Sequence, residues 1–305
     1  MKRMTSVLAL TTAAILGLSA CGGSSDPLDS SSPSASGSAS GGGAVVIGSA
    51  DFPESELLAE IYAGALKAKG IEATTKVRIG SREIYLKALE DGSIQAVPEY
   101  TGALGFFYDK AFAETDPEKV YTSVQGLLPA EFTMLEKSAA EDNDSIVVTK
   151  ETADSKQLKT IADLKDSAGE MSLGAPPEFT ARPQGIPGLT KTYGVTFGSF
   201  RPLTGQALVQ ALKNGQVDAA NIFTTDPSIA ENGFVSLEDT DKLFGSQNIV
   251  PLVAKDRSEE LAPALNAVSK ALTTEVISGL LKQTVTDKKD AKDVAAEFLK
   301  ENNLG

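Results

Sequence analysis

The sequence predicts an α/β protein made of two similar lobes with a cleft between them. Three observations carry this. Residues 87–101 (KALEDGSIQAVPEYT) have an echo 123 residues later at 210–224 (QALKNGQVDAANIFT). In each copy Ala-Leu closes a helical run, a Gly (Gly92 or Gly215) supplies a left-handed stop, and a short apolar run, Ile94 to Val97 or Val217 to Ile222, reads as a buried strand. Residues 44–98 read as β-α-β-α-β, the pattern of a parallel, doubly wound sheet. Lastly, the polar run Glu141-Asp142-Asn143-Asp144 precedes a fresh strand and reads as a crossing between lobes. The echo aligns Tyr100 with Phe223 and Thr101 with Thr224, each at the carboxyl end of its strand, where open α/β sheets bind ligands. Convergence of two ordinary α/β units on the same helix-stop grammar is the alternative.

Met1 to Ala20 reads as an export signal, with Lys2 and Arg3 ahead of an apolar segment too short to span a membrane comfortably. Leu18-Ser19-Ala20-Cys21 is the pattern cut before a lipid-modified cysteine, and Cys21 is the single cysteine of the chain. Residues 21–43 are mostly Ser, Gly, Ala and Pro and read as a flexible tether with a reach of roughly 25 Å. The body is therefore expected on the outer face of the bacterial cytoplasmic membrane, held by lipid.

In the body, Ala44 to Ser49 is the first strand. Asp51 reads as the N-cap of a helix carrying Leu57, Leu58, Ile61, Ala65 and Leu66, with Pro53 in its first turn and Gly70 as its stop; lining a cleft is the other reading of this turn. Ile71 to Ile79 is the second strand, and Gly80-Ser81-Arg82 leads to the helix that ends at Gly92. Pro98 removes a strand donor, so PEYTG is expected to end regular structure at the sheet's edge, with Gly102 permitting close backbone approach. Helical segments are expected over 116–137. The second lobe is expected over 145–225: strands at SIVVT (145–149), Met171 to Gly174 and Thr196 to Phe200, a helix over 206–213, and the echo strand. Arg182 sits in the proline-fixed loop PPEFTARPQG; it is either an ordinary surface Arg or a guanidinium held for a carboxylate. The first lobe is expected to comprise 44–144 and 226–305, including strands at 235–237 and 249–253 and closing helices packed on that lobe.

Composition excludes several classes. The chain has no His, which removes Ser-His-Asp and Cys-His catalysis and the common zinc sites. No GxxxxGK[ST] and no GxGxxG after a strand is present, so no cofactor, nucleotide or metal is expected. A net charge of −13 argues against nucleic acid or anionic lipid as a partner surface. No acid pair stands out for acid–base work, so the chain is read as not an enzyme.

SADFPESELLAEIYAGALKAKG, VPEYTG, PPEFTARPQG, ALKNGQVDAANIFTTD and VAAEFL, in that order, resemble substrate-binding proteins of osmoprotectant ABC importers, the glycine betaine/choline/carnitine, ProX-like type. The resemblance runs from about Val45 to Leu304. It implies a type II periplasmic-binding-protein fold: two α/β lobes, two crossings and a ligand closed between them. It also implies a monomer that takes a small zwitterionic or cationic solute and hands it to an ABC permease with its ATPase. The family cages quaternary ammonium groups in aromatic rings and holds the ligand carboxylate with an Arg. Carried over, Tyr100 and Phe223 resemble cage walls and Arg182 the carboxylate-binding Arg. The expected ligand-contacting set is Tyr100, Arg182, Phe223, Thr101, Phe52, Asp51, Ser145, Asp144 and Thr224, with Cys21 carrying lipid and no catalytic or metal-ligating residue. Three departures stand out: Ser145 and Val209 occupy positions where the family usually has aromatics, and Ala103 replaces a usual Thr. Either Phe52, Tyr85 or Phe179 replaces the missing rings, or the ligand is another small polar or aromatic compound. A signalling or adhesion lipoprotein on the same fold is the reading from a different class.

Overall fold

The computed structural model describes residues 43–305, so the export signal, Cys21 and nearly all of the tether lie outside the described residues. Apolar runs too short for helices become strands, and the longer amphipathic stretches between them become helices. In chain order the first half gives β1 (Val45–Gly48), α1 (Pro53–Ala68), β2 (Ala73–Lys76), α2 (Arg82–Glu90), β3 (Ala96–Tyr100), α3 (Thr101–Tyr108), α4 (Pro117–Leu127) and β4 (Phe132–Met134). Then follow β5 (Ile146–Val148), α5 (Lys150–Lys156), β6 (Ser172–Ala175), α6 (Ile186–Gly188), β7 (Ser199–Pro202), α7 (Gly205–Lys213), β8 (Ala219–Asn221), α8 (Ser228–Glu231) and β9 (Val235–Ser236). The chain closes with β10 (Ile249–Ala254), α9 (Ser258–Ala271), α10 (Thr274–Leu281) and α11 (Ala291–Glu301).

Two five-stranded sheets result, ordered β2-β1-β3-β10-β4 and β7-β6-β8-β5-β9. Each begins with three parallel strands. In each, the next strand, β10 or β5, runs antiparallel because the chain enters it from the other sheet's side. Helices cover both faces of each sheet. In the first, α1, α9, α10 and α11 bury one core, headed by Tyr62, Leu265 and Phe298, while α2, α3 and α4 cover the other. The echoed glycines do what their position requires: Gly92 and Gly215 have φ of +75° and +66°, a region where a Cβ is strained.

Three expectations change. β3 runs through Pro98 as an interior strand, flanked by β1 and β10. Pro98 faces Pro251 of β10 in register, and the Pro251 carbonyl accepts from Leu135 on the other side, so two residues without donors coincide where none is needed between the strands. Within 116–137, only α4 is helical; Phe132–Met134 forms a strand against β10. The return from the second sheet is not at Thr225. β9 pairs with β5, and Leu237 and Phe244 pack into the second sheet's core. The chain returns at 245–248, beside the outgoing segment: Asp142 N–H donates to the Gln247 carbonyl and Glu141 bridges to Asn248.

Candidate functional site

A cavity of about 260 Å³ lies between the two sheets. That is just below the span of drug-sized ligand pockets, roughly 300 to 1,000 Å³, and suits a small solute. The β1–α1 turn brings Asp51, Phe52 and Glu54 to it, the α2 start brings Arg82 and Tyr85, and the β3 end brings Tyr100. From the other side come Phe179 and Arg182 of the proline-rich loop, Leu208 and Val209 of α7, and Asn221 to Phe223 with Thr225 after β8.

The aromatic contacts centre on Phe52. Its ring stacks on Phe223 with centroids 5.4 Å apart and lies 6.0 Å from the tilted Tyr100 ring. Phe52 thus bridges the two echoed aromatics across the cleft. Of the residues considered as replacement rings, Phe52 joins this group; Tyr85 and Phe179 border the cavity but are nearly fully buried, at 2% and 3% exposure. Asp51 is exposed and is not the cap of α1. Phe52 occupies that position with no side-chain cap bond, and the turn is pinned instead by Ser55 Oγ accepting from Ala50 N–H.

Behind the rings lies a buried acid pair. Tyr100 Oη donates to Glu54 Oε1 at 2.7 Å. Thr225 Oγ1 lies 2.7 Å from Glu54 Oε2 and 2.8 Å from Asp142 Oδ1, yet has a single hydrogen for two acceptors. Glu54 and Asp142 thus meet through this one hydroxyl. Burial pushes the Glu54 carboxyl up, against the opposing hydrogen bonds from Tyr100 and Thr225. Burial, then the charge of Glu54, pushes Asp142 well up. Two buried carboxyls that face one hydroxyl oppose each other's ionisation. Asp142 Oδ2 is left buried with no partner.

A second buried network stands at the α2 start. Arg82 makes a two-pronged pair with Glu99, Nε to Oε1 and Nη2 to Oε2, each at 2.9 Å. Tyr85 Oη (2.7 Å) and the Tyr100 N–H (2.9 Å) complete the Glu99 carboxylate. Burial works against the Arg82 charge, and Glu99 more than restores it. Arg182 is held loosely: its Nη2 is 3.7 Å from Glu83 and 3.6 Å from Glu178, beyond hydrogen-bond length.

Of the expected contact residues, the cavity is bordered by Tyr100, Arg182, Phe223, Phe52, Asp51 and Asp144. Asp144 accepts from Asn221 and Gln247. Three others serve the framework beside it. Thr101 accepts from Asn248 N–H, Ser145 Oγ donates to the Ile222 carbonyl, and Thr224 Oγ1 accepts from Asn143 N–H. Val209 and Ala103 do border the cavity, so its wall there is apolar without a ring. Sequence reasoning missed Glu54, Asp142, Thr225 and Arg82. Arg82 had a readable signal: a cation opening a helix sits against the helix dipole and needs a reason.

The family model described as "Substrate binding domain of ABC-type glycine betaine transport system" matches residues 43–301. A "Glycine-betaine-binding protein" of Pseudomonas aeruginosa is 26% identical over 85% of this chain and 88% of its own. "Glycine betaine-binding protein YehZ" of Escherichia coli is 27% identical, covering 84% of this chain and 90% of its own. Among solved structures, one titled "Crystal structure of glycine betaine/carnitine/choline ABC transporter" superposes with a TM-score of 0.68 at 24% identity, covering 85% of this chain and 99% of the other. The likeness establishes the two-lobed α/β fold expected from the sequence.

Proposed function

We propose the cargo of this protein from one premise: the chain belongs to the family of substrate-binding domains of ABC-type glycine betaine transport systems. It is a solute receptor of an ABC importer, working with a membrane permease. In our reading its ligand is a small quaternary ammonium osmoprotectant, with glycine betaine first and carnitine and choline as the related candidates. The observation that carries this is the Phe52 ring bridging Tyr100 and Phe223, with the Tyr100 hydroxyl donating to Glu54 of the buried acid pair. A methylated cation makes no hydrogen bonds and is held by ring faces and by negative charge behind them.

Capture works by closure. Tyr100 and Glu54 belong to the first sheet's side; Phe223, Thr225 and Arg182 belong to the second. A ligand touching both favours the closed arrangement over the open one by the contacts it makes only there. We place the lobe boundary at the two segments 142–145 and 245–248, where the chain passes between sheets side by side. The role requires binding and release and no catalysis. Both halves of the cleft come from a single chain, so a monomer is complete. Export and lipid attachment through Cys21 would hold the receptor beside its permease, and Cys21→Ser should shed it from membranes into the soluble fraction.

Titration calorimetry of the soluble body against glycine betaine, carnitine, choline, proline and unrelated amino acids tests the reading. Saturable binding of a quaternary ammonium compound, weakened by up to roughly 30-fold in Tyr100→Ala, supports it. Heat only with a ligand lacking that group would replace it with the reading of a changed ligand class.

A further inference from the structure

Arg82 is buried, at 6% exposure, yet its guanidinium is unfinished. Glu99 takes Nε and Nη2, and Glu99 is itself fixed by Tyr85 and by the Tyr100 backbone. The hydrogen bonds of Arg82 among the described residues run through Nε and Nη2, which leaves the Nη1 corner without an acceptor, while the side chain borders the cavity. A guanidinium held this way has lost its rotamer freedom and most of its water in the folded protein. Arg182 approaches from the other sheet's side. Its nearest acids are Glu178 on its own loop and Glu83, the residue after Arg82, and it is within hydrogen-bond distance of neither. Two guanidiniums, one from each side of the cleft, therefore converge on the start of α2.

We propose that Arg82 is a second receiver for the ligand's carboxylate, the fixed member of a pair that Arg182 completes from the opposite side. This rests on reading the cleft as a quaternary-ammonium site, and it assigns the ligand class within it: a betaine, with cation and carboxylate joined by a short link. Arg82 and Arg182 are the two cations among the described residues lining the cavity, against the acids Asp51, Glu54, Asp142, Asp144, Glu178 and Asp226, so a carboxylate is drawn to that pair. The headgroup then lies at the rings and the carboxylate at α2. Because Glu99 already orients Arg82, the ligand meets a preset partner and little ordering remains on binding.

The test compares matched ligands with and without a carboxylate, glycine betaine against choline and histidine against histamine, by calorimetry. Removing Arg82 alone would leave Glu99 buried and unpaired, so the principal variant is Arg82→Gln with Glu99→Gln. It should weaken glycine betaine by roughly 10- to 100-fold, as expected for charge-assisted bonds, and choline by less than about 3-fold. Arg82→Lys, which keeps the charge but not the fork, should show a smaller loss of the same selectivity and covers the case of a poorly folded double variant. Equal losses for both ligands, or no loss, overturn the proposal in favour of a purely structural Arg82. Wild-type binding of choline but not glycine betaine also overturns it, leaving the quaternary-ammonium reading intact. Wild-type binding of neither, but of histidine, overturns that reading instead, and the same variants on histidine and histamine then decide Arg82.

Discussion

The two echoed units share a sheet order and a glycine helix stop, but they end in different chemistry. The β3 end, in the first sheet, carries Glu99 and Tyr100, tied into Arg82, Tyr85 and Glu54 by bonds of 2.7 to 2.9 Å. The β8 end, in the second, carries Asn221 and Phe223; Asn221 is tied at 3.1 Å to Asp144 and 3.3 Å to the Ser145 carbonyl, with no charged pair behind it. Phe223 has no hydroxyl to anchor it. One strand end sets its ring in a buried charged network; the other leaves its ring without a polar anchor, which in the proposed closure makes it the half that moves. The same backbone repeat thus ends once in a charged, cross-tied wall and once in an unanchored ring, and the side chains alone make the difference.

The largest test of this contrast is stability. Glu99→Ala strands Arg82 as a buried, unpaired charge and should cost about 3–5 kcal/mol, read by chemical denaturation. Asn221→Ala, its counterpart on β8, should cost only about 1 kcal/mol, the net worth of ordinary hydrogen bonds. Equal costs would break the distinction between fixed and closing halves.

Next comes ligand affinity. Tyr100→Ala and Phe223→Ala should each lose up to about 2 kcal/mol of binding, the limit for a desolvated cation–π contact. Phe223→Ala should chiefly speed dissociation, since Phe223 belongs to the half that closes; stopped-flow release kinetics would show a change confined to association if this is wrong.

The acid pair gives a pH signature confined to one side. Folding raises the Glu54 and Asp142 carboxyls above their ordinary values of 4.5 and 3.8. Above those values the unfolded chain has released protons that the folded chain keeps, so stability falls as pH rises toward the raised folded values. Below them both states are protonated and the pair no longer opposes folding. Thermal midpoints across that window should show a flatter decline in Glu54→Gln than in the wild type.

The smallest effect should be symmetrical. Gly92→Ala and Gly215→Ala place a Cβ at φ of +75° and +66°, with no neighbouring atom within 4 Å of either, and should each cost about 1 kcal/mol. A clear inequality between them would show that the repeat is not equivalent even in its backbone.

Much of this was legible because it rests on local rules. Helix stops, strand ends and the paired aromatics follow from Gly placement and apolar runs, and PEYTG and its echo pointed to the cleft. The interior course of β3 was hidden because a proline is a poor strand residue unless its missing N–H falls where the ladder needs no donor, a fact known only once β10 is docked. The return at 245–248 was hidden because β9 contributes only two residues to the second sheet. Glu54 was hidden for another reason: an acid in a first helical turn is what the dipole favours, so it reads as ordinary until burial shows otherwise.

The two acids under the cleft share one threonine hydroxyl, which can donate to only one of them at a time. Burial raises both carboxyls, and under the proposed function a cation bound near them would favour their ionised forms. Capture of such a solute should then release protons, so the heat of binding should differ between buffers of different protonation enthalpy; equal heats would show that the acids keep their state.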